Sequence, residues 1–473
     1  MKLVFALATV LVGATLAPGA EPIRLHPDNP HYFSWRGRPT VLITSAEHYG
    51  AVLNLEFDYI KYLDTLARDG LNLTRTFSGA YCENPTAFNI ANNTLAPATG
   101  RLIVPWSRSN TPGYFGGGNK FDLTRWDEAY FRRLKDFVDQ ASRRGIVVEF
   151  TFFCPFYRDD MWLRSPLHAG NNVNGVGDVK REVVYTLDRH GGLLAVQEAM
   201  VRRIVAELRD ADNVLWEVCN EPYTGKPVRL VAAEWENHMA DIIADAERRI
   251  RGEARLPARL ITQNIANGRQ KIEQPHPAVS VFNFHYANPP DAVPMNFGLN
   301  RVIGDNETGF KGNADAHYRM EAWEFLLAGG ALYNNLDYSF TVGHEDGTFA
   351  YGEKTPGGGN AGFRRQMKVL ADFMRSFDFV RMGPDSNVVK SGLPEKARVQ
   401  ALVEPGRQYA IYLKGKPLTS IVVDLPSGSY HAEWISVMTG KGEGSRETKH
   451  AGGPATLEIP AGAEEIALRI RRS

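Results

Sequence analysis

Cysteine is scarce: the chain has three in 473 residues, at positions 82, 154 and 219. That excludes a disulfide scaffold. Cys82 and Cys154 fall just past two predicted strands, where an oxidising compartment would let them pair, while Cys219 lies inside a strand and reads as a buried apolar residue. Net charge is also lacking. Lys plus Arg and Asp plus Glu both total 54, so no global field exists to hold nucleic acid or steer a polyanion, and a neutral partner fits best. The apolar run at the N-terminus, residues 3–12, is too short for a membrane span. With Lys2 before it and small residues after it up to Ala20, it has the pattern of a secretory signal. Residues 1–20 are therefore set aside, a secreted or periplasmic protein is expected, and no membrane partner is.

What remains is 43% hydrophobic and 23% charged, which excludes a mainly disordered chain. It is too long for one ordinary domain. The informative stretch is a short apolar run, residues 214–219, ended by Asn220-Glu221-Pro222. Pro222 cannot extend a central ladder, because it lacks an N–H and has a fixed φ. Glu221 is thus left at a strand end. Cleaving a glycosidic bond needs two such carboxyls, one to protonate the leaving oxygen and one to attack or to activate water. Residues 301–310 supply the second, an apolar stretch that gives way to Glu307 and turn residues. The 86 residues from Glu221 to Glu307 are about three units of an eight-unit barrel of roughly 250 residues, so the two strands would be the fourth and seventh.

The other strands of an α/β, (β/α)8 TIM barrel are expected at residues 40–45, 71–77, 146–153, 258–264, 279–286 and 331–337. Amphipathic helices are expected at 56–68, before Gly145, and at 193–208, 228–249, 314–327 and 363–379. A hairpin around residues 31–35 should close the bottom, giving a catalytic domain over 21–382. From residue 383 the pattern changes to short alternating strands (399–403, 408–413, 419–425, 430–435 and 465–470), the signature of an antiparallel β-sandwich over 383–473.

Asn220-Glu221-Pro222 on a fourth strand with Glu307 on a seventh resembles the retaining glycoside hydrolases of clan A, especially the cellulase-like, family 5-like barrels, over roughly residues 40–380. The resemblance implies Glu221 as acid/base, Glu307 as nucleophile and Asn220 as the contact to the sugar 2-hydroxyl. It also implies that Arg75, near the end of strand two, supports the nucleophile. His285 and Tyr286 are similar to the clan's His-x-Tyr pair but stand adjacent. Tyr286 is expected to hydrogen-bond the nucleophile and His285 to touch substrate. The Trp that many of these enzymes carry at strand eight is absent, and Tyr338 is the candidate substitute.

Two long segments, 78–119 and 154–190, should wall the site into a pocket or blocked cleft rather than an open groove. His48, after strand one, and Trp106 complete the candidate substrate contacts. Taken singly, each glutamate is more often a capping or surface carboxylate, and it is their combination with Arg75 and Asn220 that carries the reading. No metal is expected, since neither strand one nor strand five offers paired His ligands, and no cofactor is needed. The expected partner is a poly- or oligosaccharide. A barrel that binds carbohydrate without turnover and a retaining transglycosylase remain alternatives, and oligomeric state is open.

Overall fold

The structure, a computed structural model, describes residues 21–223, 231–254 and 257–473. The signal pattern at 1–20 and the expected helix start at residue 228 lie outside them. Eight parallel strands form the barrel: Leu42–Ala46, Leu73–Phe77, Val147–Phe153, Val214–Cys219, Ile261–Asn267, Val279–His285, Val302–Thr308 and Leu332–Leu336. They pair in the ring order one, eight, seven, six, five, four, three, two. Asn72 bridges the remaining gap, its Oδ1 accepting from the Ile43 N–H at 2.9 Å and its Nδ2 donating to Val41 O at 2.9 Å. Glu221 and Glu307 therefore do stand at the fourth and seventh strands.

Caps decide where the helices begin. The first runs Tyr59–Arg68 rather than from residue 56, because the Asp58 carboxylate caps it by accepting from the Ile60 and Lys61 N–H groups. Asp127 and Asn360 do the same for Glu128–Arg143 and Ala361–Arg375. The N-terminal strands Phe33–Trp35 and Arg38–Thr40 lie against the bottom of the barrel. There Asp212, just ahead of strand four, accepts from Trp35 Nε1 at 3.2 Å and Arg36 Nε at 2.7 Å.

The C-terminal region packs a six-stranded antiparallel sheet against a three-stranded one. Two of its strands, Gly442–His450 and Gly453–Glu458, escape the sequence pattern. The first is an exposed, polar edge strand with no apolar face to alternate. Trp434 is buried in the sandwich core. The segment 78–119, expected to be irregular, contributes the strand Trp106–Pro112, which pairs with Asn119–Trp126 as a hairpin.

Barrel and sandwich share one apolar seam. Trp323, fully buried on the helix after strand seven, stacks at 5.7 Å on Tyr412 of the sandwich and lies 5.0 Å from Phe373. Beside it, Arg319 forks onto Glu465 at 2.6–3.1 Å. Truncating a buried aromatic of this kind costs about 3–5 kcal/mol. Trp323→Ala should therefore lower the unfolding free energy measured by denaturant titration by that much without changing the barrel's own circular dichroism, whereas a loss below about 1 kcal/mol would mean the seam is not tightly packed.

Candidate active site

Period-two alternation would send neighbouring strand residues to opposite faces, yet both Asn306 and Glu307 turn inward. The pairing register of strand seven shifts between Asp305 and Thr308, and such a bulge re-aims side chains. Strand six solves the same problem differently. His285 ends the strand and Tyr286 takes φ +55°, a left-handed conformation that turns both rings to the same mouth. On strand four, Glu221 has φ +36°, strain that is held by its N–H donating to Asn264 Oδ1 at 3.0 Å.

Glu307 is gripped from three directions. Tyr286 and Tyr49 donate their hydroxyls to its two oxygens at 2.7 Å each, and Arg75 Nη1 approaches at 3.3 Å. Burial alone would raise its pKa. The charges of His285 and Arg75 and the two phenols outweigh burial and hold it below the ordinary 4.5. Burial and the Glu307 charge raise both phenols well above their usual range, so they stay donors.

Glu221 faces the same space. His285 Nδ1 lies 3.0 Å from its Oε1, and Tyr157 OH donates to its Oε2 at 3.0 Å. His285 Nδ1 is also 3.6 Å from Glu307. One donor atom from each of Glu221, His285 and Glu307 lies within 4.8 Å of the others. Burial works against a charged imidazole here, but Glu307 and Glu221 outweigh it and raise the His285 pKa. The same trio has the donors to hold a divalent ion. Arg75, Tyr49 and Tyr286 already balance the Glu307 charge without one.

Asn220 gives its Oδ1 to Arg75 Nη2 at 2.7 Å, which turns its amide N–H toward Tyr157 OH at 2.9 Å and Cys154 Sγ at 3.5 Å. These groups line a cavity of about 470 Å³, closed further by His48, Phe77, Tyr81, Glu83 and Leu95 and rimmed by Phe88 and Phe310. Phe310 is 44% exposed and meets Phe88 and Tyr286 edge-on at 6.4 and 6.0 Å.

Beneath the site the barrel interior is polar. Arg75, fully buried, donates Nε to Glu217 Oε2 at 2.7 Å, and its Nε lies 3.9 Å from Glu149. Asn306 Nδ2 donates to Glu217 at 2.7 Å and Glu149 at 3.0 Å. Thr262 and Asn283 complete Glu149's partners at 3.0 and 2.7 Å. Asn306 is wholly buried, so the Asn306-Glu307-Thr308 sequon is out of reach of a glycan in the folded chain.

Of the sequence candidates, Arg75, Asn220, Glu221, His285, Tyr286, Glu307 and His48 are brought together. Two are not. Trp106 is fully buried at the foot of its hairpin, stacked at 6.5 Å on Trp126, so it is a packing residue rather than a cavity wall. Tyr338, 2% exposed, sits behind His48 with ring centroids 5.8 Å apart and does not line the cavity. Nor do Cys82 and Cys154 pair. Both are buried free thiols turned to separate partners, Arg164 O and Pro155 O. Tyr49, Tyr157 and Glu83 were missed, since nothing in sequence marks a loop residue that folds back over a strand end.

No family model matches the chain, and no curated protein matches it. Solved structures do. A glycoside hydrolase structure aligns with TM-score 0.64 at 14% identity, covering 96% of this chain and 97% of the other. A structure described as a putative glycoside hydrolase from Bacteroides vulgatus aligns with TM-score 0.66 at 14% identity over 96% and 83%. A family 5 glycoside hydrolase from the same organism aligns with TM-score 0.62 at 14% identity over 95% and 93%. The chain thus has the (β/α)8-barrel and β-sandwich fold seen in those proteins, across nearly its whole length.

Burial and the neighbouring Glu217 charge push Glu149 up to about 7. The folded state then binds a proton that the unfolded chain releases near 4.5, so stability is greatest below that value and falls as pH rises toward 7. The expected loss between pH 5 and 8 is roughly 2–3 kcal/mol. Glu149→Gln should flatten that slope in thermal unfolding scans, and a variant whose slope over the same window equals the wild type's would contradict the assignment.

Proposed function

We propose that this chain is a secreted or periplasmic glycoside hydrolase that cleaves O-glycosidic bonds of a neutral poly- or oligosaccharide with retention of configuration. One observation carries the reading: two carboxyls, at the ends of strands four and seven, present oxygens within 4.8 Å of each other at the base of a cavity. Retaining enzymes keep their carboxyl groups about 5–5.5 Å apart, and inverting ones leave room for a water between. The fold shared with glycoside hydrolases supports it, and the signal pattern at residues 1–20 supports export.

In the first step Glu307, kept anionic by Arg75, Tyr49 and Tyr286, attacks the anomeric carbon. The bond to the leaving oxygen breaks, and that oxygen takes the proton carried by Glu221. A glycosyl ester on Glu307 results. In the second step Glu221, now a carboxylate, removes a proton from water as its oxygen attacks the same carbon, and the ester bond returns its electrons to Glu307. His285, bridging both carboxylates, stabilises whichever is charged. Asn220, which lines the cavity beside Glu221, is assigned to the sugar 2-hydroxyl, and the apolar faces of sugar rings suit the aromatic rim.

Glu307→Ala should lower kcat on aryl glycosides on the order of 10⁴-fold or more. Glu221→Ala should retain turnover of substrates with good leaving groups and regain rate with azide, which needs no general base. Full activity in the Glu307 variant would exclude the mechanism. Because the Tyr286 hydroxyl favours the ionised form of Glu307, Tyr286→Phe should move the acidic limb of the kcat/KM profile to higher pH. It should also lower kcat/KM about ten- to a hundredfold, the effect of losing a hydrogen bond to a charged group.

A further inference from the structure

Glu83 is a carboxylate in the cavity wall that the two-step chemistry does not use. It is 4% exposed and sits among apolar neighbours, where a charge is retained only if something pairs with it. Tyr81 OH donates to its Oε1 at 2.9 Å, and Asn93 Nδ2 donates to its Oε2 at 2.5 Å. His48 Nε2 lies 3.3 Å from the same Oε2. His48 also lines the cavity, and its other nitrogen, Nδ1, is buried with no hydrogen-bond partner among the described residues. Burial works against a charged His48, but the charge of Glu83 outweighs it and raises the His48 pKa.

Direction follows from the catalytic pair. Glu221, on strand four, protonates the leaving group, so the leaving group departs on that side. Glu83 and His48 come from the segments after strands two and one and adjoin the nucleophile, since His48 touches Glu83 and stands next to Tyr49, whose hydroxyl bonds Glu307. They therefore face the sugar that is retained on the enzyme. The wall on that side is also tied to its neighbours. Thr94 Oγ1 bonds Glu47 Oε2 at 2.6 Å, Asn54 Nδ2 bonds Thr94 O at 3.2 Å, and Glu83 N bonds Leu95 O at 2.8 Å. The backbone approaches so closely that a Cβ on Gly50 would lie 2.2 Å from Thr94 O. A wall tied this way does not swing aside to let a polymer thread through.

We propose that Glu83 and His48 recognise the terminal, non-reducing sugar, Glu83 accepting a hydrogen bond from one ring hydroxyl through Oε1 and His48 Nδ1 donating to the adjacent one, so that the enzyme removes single sugars from chain ends. This rests on the glycosidase reading above and adds the substrate class, a glycoside with an unsubstituted vicinal diol on its terminal unit. A carboxylate built to hold hydroxyls rejects an analogue that lacks one, because its buried partners are left unmatched.

The test takes the best substrate among 4-nitrophenyl glycosides of glucose, mannose, galactose and xylose, together with its 3-deoxy and 4-deoxy analogues. Removing either hydroxyl should cost the wild type about a hundredfold or more in kcat/KM. Glu83→Ala and His48→Ala should lose a similar factor on the parent and little more on the deoxy analogues, since one interaction cannot be removed twice. Equal losses by a variant on the parent and on every analogue would overturn the assignment, as would a wild type that tolerates both deoxy sugars. A wild type that lowers polymer viscosity ahead of reducing-end release would overturn chain-end action. The deoxy series and the viscosity assay use the wild type alone, so they stand even if a variant fails to fold. Absence of turnover on every glycoside would instead remove the glycosidase reading itself, and this inference with it.

Discussion

One guanidinium holds the centre of this protein. Arg75, without solvent exposure inside the barrel, contacts Glu217, Asn220 and Glu307 at 2.6–3.3 Å and stacks 4.5 Å from the Tyr49 ring. A buried cation survives only when it is paired and its donors are used, and here each arm of the fork has a task. One fixes the rotamer of Asn220, one sets the charge of Glu307, and the third balances the acidic floor. Removing the cation would leave several carboxylates crowded and unpaired, so the floor, Glu307 and Asn220 beside Glu221 form one electrostatic unit.

The polar floor explains why the barrel interior departs from the aliphatic layers that usually fill such barrels. Glu149, Glu217, Thr262, Asn283 and Asn306 come from strands three to seven and bond one another beneath the site. Every member restricts its neighbour's rotamer. Side chains above this floor are thereby held in place before any sugar arrives, which is the condition for electrostatic stabilisation of a transition state.

Much of the architecture was legible because barrel strands buried on both faces read as continuous apolar runs, and because Gly and Asp mark the helix ends. Glu221 and Glu307 stood out as a pair: each ends an apolar run, and their spacing together with Arg75 and Asn220 is what a lone capping carboxylate would not supply. What the pattern hid was geometry that breaks period two. The bulge at Asn306-Glu307 and the left-handed Tyr286 each bring neighbouring residues to one face, and no alternation rule foresees that. Trp106 illustrates the opposite failure, since an aromatic in a polar-looking loop suggests a sugar platform, yet hairpin pairing carries it into the core. Tyr49 and Tyr157 went unseen because their roles depend on loops folding back across the barrel mouth. The polar edge strand Gly442–His450 had no hydrophobic period to read.

The central claim is that Glu307 forms a covalent bond to the sugar while Glu221 serves both steps. The measurement that tests it most directly is proton NMR of the product first released by the wild-type enzyme from an anomerically pure aryl glycoside, before mutarotation. The account predicts that the first-formed sugar has the same anomeric configuration as the substrate. An inverted product would contradict it, because a single displacement by water needs no ester on Glu307 and would leave the grip of Tyr49, Tyr286 and Arg75 without its proposed purpose.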